Sequence, residues 1–142
     1  FFKDHLIQSK GHLALLGSVA SYISSPKLTP YCMSKFAVKA LSEGLFFEMK
    51  KFGVKCTLIC PGLVESQIRL INNKGQYVQG AKDPAPKWII MDTKSATLQM
   101  KKAILKGKKE VIITGHGKMI VFLQRFFPWF VDFLNSKKIM SG

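Results

Sequence analysis

A chain of 142 residues, 47% hydrophobic and 11% aromatic, has enough apolar side chain for one globular domain with a core, which excludes a disordered or collagen-like chain. Its 22 Lys and Arg against 8 Asp and Glu leave a net +14, which favours anionic partners such as nucleotides, nucleic acid or lipid headgroups without choosing among them. Three cysteines, Cys32, Cys56 and Cys60, do not make a disulfide framework and favour a reducing, cytoplasmic setting.

The opening "FFKDHLIQSKG" is too polar for a targeting signal, and without an initiating Met it reads as a helix entered partway, the mark of a fragment. "GHLALLGS", residues 11 to 18, predicts a strand buried on both faces. The polar loop "VASYISSPKL" follows, with no helical period. Thr29 as N-cap and Pro30 as the first helical residue predict a helix to about Lys51, with Met33, Ala37, Ala40, Leu41 and Leu45 on its apolar face and Gly53 as its stop. "VKCTLIC", 54 to 60, predicts a second buried strand closed by Pro61 and Gly62. On it Cys56 and Cys60 lie about 13 Å apart, too far to share one ion, so they read as core.

Residues 63 to 92 read as irregular, with "NNKGQ" and "DPAPK" as turns and a short helix in "VESQIRLI"; a connection this long marks a lid or mobile segment. "KSATLQMKKAILKG" predicts a helix with Ala96, Met100, Ala103 and Ile104 on one face, ending at Gly107, and "EVIIT", 110 to 114, a third strand. The alternation of strand and helix is that of an α/β fold with a parallel sheet.

The tail "GHGKMIVFLQRFFPWFVDFLN" predicts a kinked helix, because Gln124, Arg125, Pro128 and Asp132 interrupt the run of about 18 apolar residues that a spanning helix needs. Two uses stay open for it: burial against the domain or a partner subunit, and a membrane-interface anchor favoured by Lys118, Arg125, Lys137 and Lys138. Gly115-His116-Gly117 imitates a dinucleotide fingerprint, but Ile120 holds the third glycine position and no further strand follows, so it reads as coincidence. His5, His12 and His116 have no chelating or triad spacing and receive no role, no metal site is expected, and Cys32 reads as packing.

Chemistry is concentrated earlier. Residues four apart share a helix face, so Tyr31 and Lys35 can point into one cleft. A phenol with a pKa of about 10 is a poor proton carrier at neutral pH, and a nearby ammonium and a helix N-terminus would both stabilise its phenolate. Ser18, thirteen residues earlier at the end of the first strand, could hydrogen-bond the same reacting oxygen. Ligand sites of open parallel sheets lie at the carboxyl ends of strands, where Ser18 and Pro61-Gly62 both fall.

Ser18, "YCMSK" with its continuation "SKFAV", and "PGLVES" after the next strand, in this order and spacing, resemble the short-chain dehydrogenase/reductase family over residues 11 to 66. The later helix and "GKKEVIIT" resemble the last helix and strand of that family's sheet, and the aromatic tail is loosely similar to steroid and retinoid members. The resemblance implies the C-terminal part of a Rossmann-like doubly wound parallel sheet, incomplete, with three strands and intervening helices: residues 1 to 115 as the C-terminal half of an NAD(P)-binding domain and 116 to 142 as a hydrophobic basic tail. It implies a catalytic set of Tyr31 as acid/base, Lys35 on the nicotinamide ribose and Ser18 on the substrate oxygen. Tyr31, Lys35, Pro61, Gly62, Val64 and Ser66 would meet NAD or NADP, and Tyr22, Leu28 and Leu63 the substrate.

The family's Gly-rich loop, the residue that selects NAD or NADP, the N-N-A-G segment and the catalytic Asn have no counterpart in these 142 residues. The isolated chain is therefore expected to be inactive, with "GHLALLGS" as an unpaired apolar edge. The expected function is interconversion of a hydrophobic alcohol and ketone by hydride transfer, in a homodimer formed through Phe36, Phe47 and Met49, on the cytoplasmic side. The competing expectation is a peripheral membrane or lipid-binding module with a vestigial site, using 116 to 142. Nucleic-acid binding is not expected, since no recognition motif is present and the lysines are scattered in sequence.

Overall fold

The computed structural model of the chain describes the backbone of residues 2–140 apart from 73, 74, 81, 82 and 84, and side chains as far as residue 136. Asn73 and Lys74 of "NNKGQ", Pro84 of "DPAPK" and the side chains of Lys137 and Lys138 thus lie outside the described residues.

A short opening helix, α1 (Lys3–Ser9), ends at Lys10 in a left-handed conformation with φ 47°. Strands β1 (His12–Leu16), β2 (Lys55–Pro61) and β3 (Glu110–Ile113) form one parallel sheet in the order β1-β2-β3. The register runs from His12 opposite Lys55 to Leu16 opposite Ile59, and from Leu58 opposite Glu110 to Pro61 opposite Ile113. Helix α2 (Thr29–Lys50) joins β1 to β2, and α3 (Thr93–Leu105) precedes β3. The expected α/β fold with parallel strands and intervening helices is what forms.

Alternation along β2 divides its side chains between two apolar layers. Cys56 joins Met49 and Val54 in a cluster with Leu6, Ile7, Leu13, Leu45, Phe46 and Phe52, so α1 and α2 cover that face. Ile59 joins Ala96 and Ile113, with Met91, Met100, Ile104 and Val111, under α3. Each fully buried aliphatic here, such as Leu58 or Ile113, contributes about 1.5–3 kcal/mol through removal from water. Thr57, buried in the same strand, donates to the Lys108 carbonyl at 2.5 Å and lies 2.8 Å from His12 Nε2, so its hydroxyl is satisfied.

Four expectations need correction. β1 is an edge strand, like β3, and is not covered on both faces: Ala14 and Leu16 are exposed. Thr29 is the first residue of α2 and Leu28 its N-cap, with no side-chain cap. The packed face of α2 is Cys32, Ser42 and Met49, whereas Met33, Ala37, Ala40 and Leu41 face outward, Met33 at 68% exposure. The helix carries apolar residues on more than one side, and the small Ser42 permits close approach to the sheet where Leu41 would not. Met49 therefore belongs to the core and is unavailable to a subunit contact, while Phe36 and Phe47 remain exposed.

The tail is two helices. α4 (Gly115–Phe126) stops at Phe127, and α5 (Pro128–Met140) restarts at a proline, which lacks the N–H to continue the first ladder but suits a first helical position. Among the described residues no helix is long and apolar enough to cross a membrane.

Candidate active site

The carboxyl end of β1 turns directly into a 3-10 turn over Val19–Ser21, and Ser18 caps it. Its Oγ accepts from the Ala20 N–H at 3.1 Å and lies 3.5 Å from the Pro61 carbonyl, while the Ser18 N–H donates to Ser21 Oγ at 3.2 Å. The hydroxyl thereby spans the ends of β1 and β2.

Tyr31 sits in the first turn of α2, 39% exposed. One turn later, the Lys35 ammonium donates to the Leu16 carbonyl at 3.2 Å and lies 5.8 Å from the centre of the Tyr31 ring. That single contact ties the start of α2 to the last residue of β1, two residues before Ser18. The structure thus brings Ser18, Tyr31 and Lys35 to one edge of the sheet.

The segment after β2 is fixed on three sides. The Gly62 N–H donates to the Ile113 carbonyl at 3.1 Å, and the Leu63 N–H to His116 Nε2 at 2.9 Å. Val64 bridges Met91 in parallel, through Met91 N–H to the Leu63 carbonyl at 3.0 Å and Glu65 N–H to the Met91 carbonyl at 2.9 Å. In such a bridge Val64's own amide group faces the opposite side, where its carbonyl accepts from Arg69 Nη1 at 3.2 Å. A Cβ on Gly62 would collide with Thr114 Oγ1 and lie 2.6 Å from His116 Nε2. The bare Cα of Gly62 is what lets Thr114 and His116 pack against this turn, and the Val64 amide beside it is turned away from its ladder.

Ser66 caps a 3-10 turn over Gln67–Leu70, its Oγ accepting from the Ile68 N–H at 3.2 Å. The short helix expected within "VESQIRLI" is this turn. The long connection then folds on itself through a bridge between Ile71 and Tyr77 and through Arg69, whose guanidinium grips Asp83. Trp88, 86% exposed, tops the segment.

Tyr22 and Leu28, assigned to the substrate by resemblance, sit on the β1 side of the site, Tyr22 closing the 3-10 turn after Ser18 and Leu28 preceding α2. Tyr22 directs its hydroxyl at Cys60, whose Sγ is 3.9 Å away, and burial pushes both the phenol and the Cys60 thiol up from their ordinary pKa values. It also lines a shallow pocket of about 320 Å³ with Ser21, Phe36, Lys39, Ala40 and Glu43. Leu28 is half-exposed at the α2 start. Among the described residues no three His, Cys, Asp or Glu side chains gather as a metal site.

Sequence reasoning missed Thr114, His116, Arg69 and Asp83. Thr114 is buried at φ 87°, a conformation costing a β-branched residue about 1–3 kcal/mol, and its Oγ1 caps α4 by accepting from the Gly117 N–H at 3.2 Å. The T-x-x-G pattern is a cap signal that could have been read; the reach of His116 to Leu63, 53 residues away, leaves no local trace.

The fold is a three-stranded parallel α/β sheet with Ser18, Tyr31 and Lys35 grouped near the carboxyl end of β1. The model of the family described as short chain dehydrogenase matches residues 2–76, and the chain belongs to that family. It is similar to human 17-beta-hydroxysteroid dehydrogenase 13, 27% identical over 125 residues that cover 85% of this chain and 38% of that protein. Mouse epidermal retinol dehydrogenase 2 is 28% identical over 132 residues, covering 90% and 40%. A short-chain dehydrogenase from Sphingobium yanoikuyae, solved with NADPH, superposes with a TM-score of 0.67 at 18% identity over 98% of this chain and 48% of its own. The chain spans about two-fifths of the length of the curated relatives it matches.

Proposed function

We propose that this chain carries the catalytic half of an NAD(P)-dependent oxidoreductase that interconverts a hydrophobic alcohol and its carbonyl form. The observation that carries the reading is the Lys35 ammonium, held 3.2 Å from the Leu16 carbonyl and 5.8 Å from the Tyr31 ring at the strand edge where Ser18 begins. Bound NAD or NADP would accept or deliver the hydride. Tyr31 gives its hydroxyl proton to the carbonyl oxygen in reduction and takes the hydroxyl proton in oxidation. Ser18 rotates its O–H from the Pro61 carbonyl to the same oxygen and orients it. Lys35 would hold the ribose and puts an ammonium beside Tyr31. Pro61, Gly62, Val64 and Ser66 would border the nicotinamide, and Leu63, with Tyr22 and Leu28, the substrate. Residues 1–115 would carry this part and 116–142 the hydrophobic basic tail, which packs on it through His116 and Asn135. The exposed Phe36, Phe47, Met33 and Leu41 of α2 are the surface a homodimer would use.

The test is Tyr31→Phe in the intact protein, assayed with NAD and NADP on steroid, retinoid and short-chain alcohols. Loss of turnover with an unchanged circular dichroism spectrum is expected; undiminished turnover overturns the assignment. The 142 residues alone are expected to be inactive, since their sequence carries no Gly-rich pyrophosphate-loop motif.

A second reading is favoured by the tail. Met119, Phe122, Phe126 and Trp129 are exposed along α4 and the start of α5, beside Lys118 and Arg125. Such a surface suits an anionic membrane interface, either as an anchor for an enzyme of lipid-soluble substrates or as the remaining function of a vestigial site. Co-sedimentation with anionic liposomes that persists undiminished after deletion of 116–142 would remove it.

A further inference from the structure

The Gly115-His116-Gly117 stretch that imitates a nucleotide fingerprint opens α4, and its histidine reaches across to the turn after β2. We infer that His116 is a positioning residue for the proposed nicotinamide turn, holding the backbone of Gly62–Val64 in place by accepting the Leu63 N–H, and that it does so only as the neutral imidazole. The inference rests on the reading of 61–64 as the cofactor turn.

The geometry requires this protonation state. The Leu63 N–H can only donate, and it lies 2.9 Å from Nε2, so Nε2 must present its lone pair and the ring proton belongs on Nδ1. Thr114 Oγ1, 3.2 Å from the same nitrogen, accepts from the Gly117 N–H and so is free to turn its own proton toward Nε2. Protonating Nε2 would set N–H against N–H at the turn. The site is built to hold the ring: Thr114 is 2% exposed at a strained φ of 87°, and neither Gly62 nor Gly117 has room for a Cβ.

Burial alone drives the His116 pKa below the ordinary histidine value. The charged residues flanking the contact, Glu65 on the turn and Lys118 on α4, are both exposed, and Glu110 lies at the far end of β3. Since the folded protein favours the neutral ring, the contact is complete above the unfolded pKa of about 6.5 and is lost as pH falls through the lower folded value.

Two measurements separate this inference from the reading beneath it. In the 142-residue chain, the Leu63 amide resonance is followed with the His116 ring resonances as pH is lowered from about 8 until the ring has titrated. The two are expected to move with one midpoint, and in His116→Gln, whose amide oxygen can take the ring's place as acceptor, the Leu63 amide stays pH-independent. A Leu63 amide that does not follow the ring overturns the inference. In the intact protein, NADH and NADPH affinity is then expected to weaken about fivefold in His116→Ala and to be restored by His116→Gln, the size expected for one backbone hydrogen bond. Equal affinity in all three proteins despite co-titration at Leu63 leaves His116 holding the turn and refutes the assignment of the turn to the cofactor.

Discussion

The guanidinium of Arg69 meets the carboxylate of Asp83 in a fork, with Nε 2.8 Å from Oδ1 and Nη2 2.6 Å from Oδ2, while Nη1 holds the Val64 carbonyl at 3.2 Å. One side chain therefore clamps the long connection between β2 and α3 to the turn that borders the proposed nicotinamide site. The Asp83 carboxylate also accepts the Ala85 N–H at 2.9 Å, so it fixes the far limb of the connection as well.

The clamp predicts a defined effect of charge removal. The Arg69 contacts hold the Asp83 carboxyl below the ordinary carboxylate range. Because the folded pKa is depressed, the contribution is complete above the unfolded value of about 3.9 and is lost as pH falls through the folded one. Asp83→Asn should leave the thermal midpoint nearly unchanged, as the pair lies near the surface, but should speed hydrogen exchange and proteolytic cutting within residues 66–92 at neutral pH. Acidification of the wild-type chain should reproduce that loosening. Equal exchange in both proteins at neutral pH would show that the clamp does not order the segment.

Gly62 predicts a stability cost at a position with no strained backbone angle. A methyl there would meet Thr114 Oγ1 and His116 Nε2, both held by the α4 start. Gly62→Ala should therefore destabilise by about 1–3 kcal/mol through overpacking. Gly115→Ala, where nothing lies within reach of an added Cβ, should do no harm. Urea unfolding of the two variants gives the comparison.

Lys35 predicts a split between folding and chemistry. Its ammonium binds the Leu16 carbonyl at an exposed edge, where water can replace it, so Lys35→Met should unfold at nearly the wild-type temperature. In the intact protein the same change should lower turnover by about a hundredfold or more if the lysine supports acid–base chemistry at Tyr31. Turnover within a factor of a few of wild type would remove Lys35 from the site.

The strands and the Ser18, Tyr31 and Lys35 edge were legible because each rests on local pattern. "GHLALLGS", "VKCTLIC" and "EVIIT" are apolar runs bounded by glycine, proline or charge, and Tyr31 and Lys35 share a helix whose start Pro30 announces. Contacts between distant segments leave no such trace. His116 reaches Leu63 across 53 residues and Arg69 reaches Asp83 across an irregular loop, so neither pair obeys a period. The tail forms two helices where its sequence predicts one kinked helix, because Pro128 fits both a kink and a new first turn, and the Phe127 break between them is a backbone event. The packed face of α2 differs from the predicted one because hydrophobic periodicity identifies stripes without saying which one meets the sheet.

That last correction gives a direct test. Met49 is 5% exposed in the cluster with Val54 and Cys56, whereas Leu41, on the expected apolar face, is 55% exposed. Met49→Ala should cost about 2–5 kcal/mol, the range for truncating a buried side chain. Leu41→Ser should change the stability of the single chain by no more than about 0.5 kcal/mol, since the side chain already faces outward. If α2 forms a homodimer through its outward face, Leu41→Ser and Phe47→Ser should also lower the association constant measured by sedimentation while Met49→Ala acts on folding alone. A large loss of stability from Leu41→Ser in a demonstrably monomeric chain would place the packed face of α2 where the hydrophobic period put it and overturn the arrangement described above.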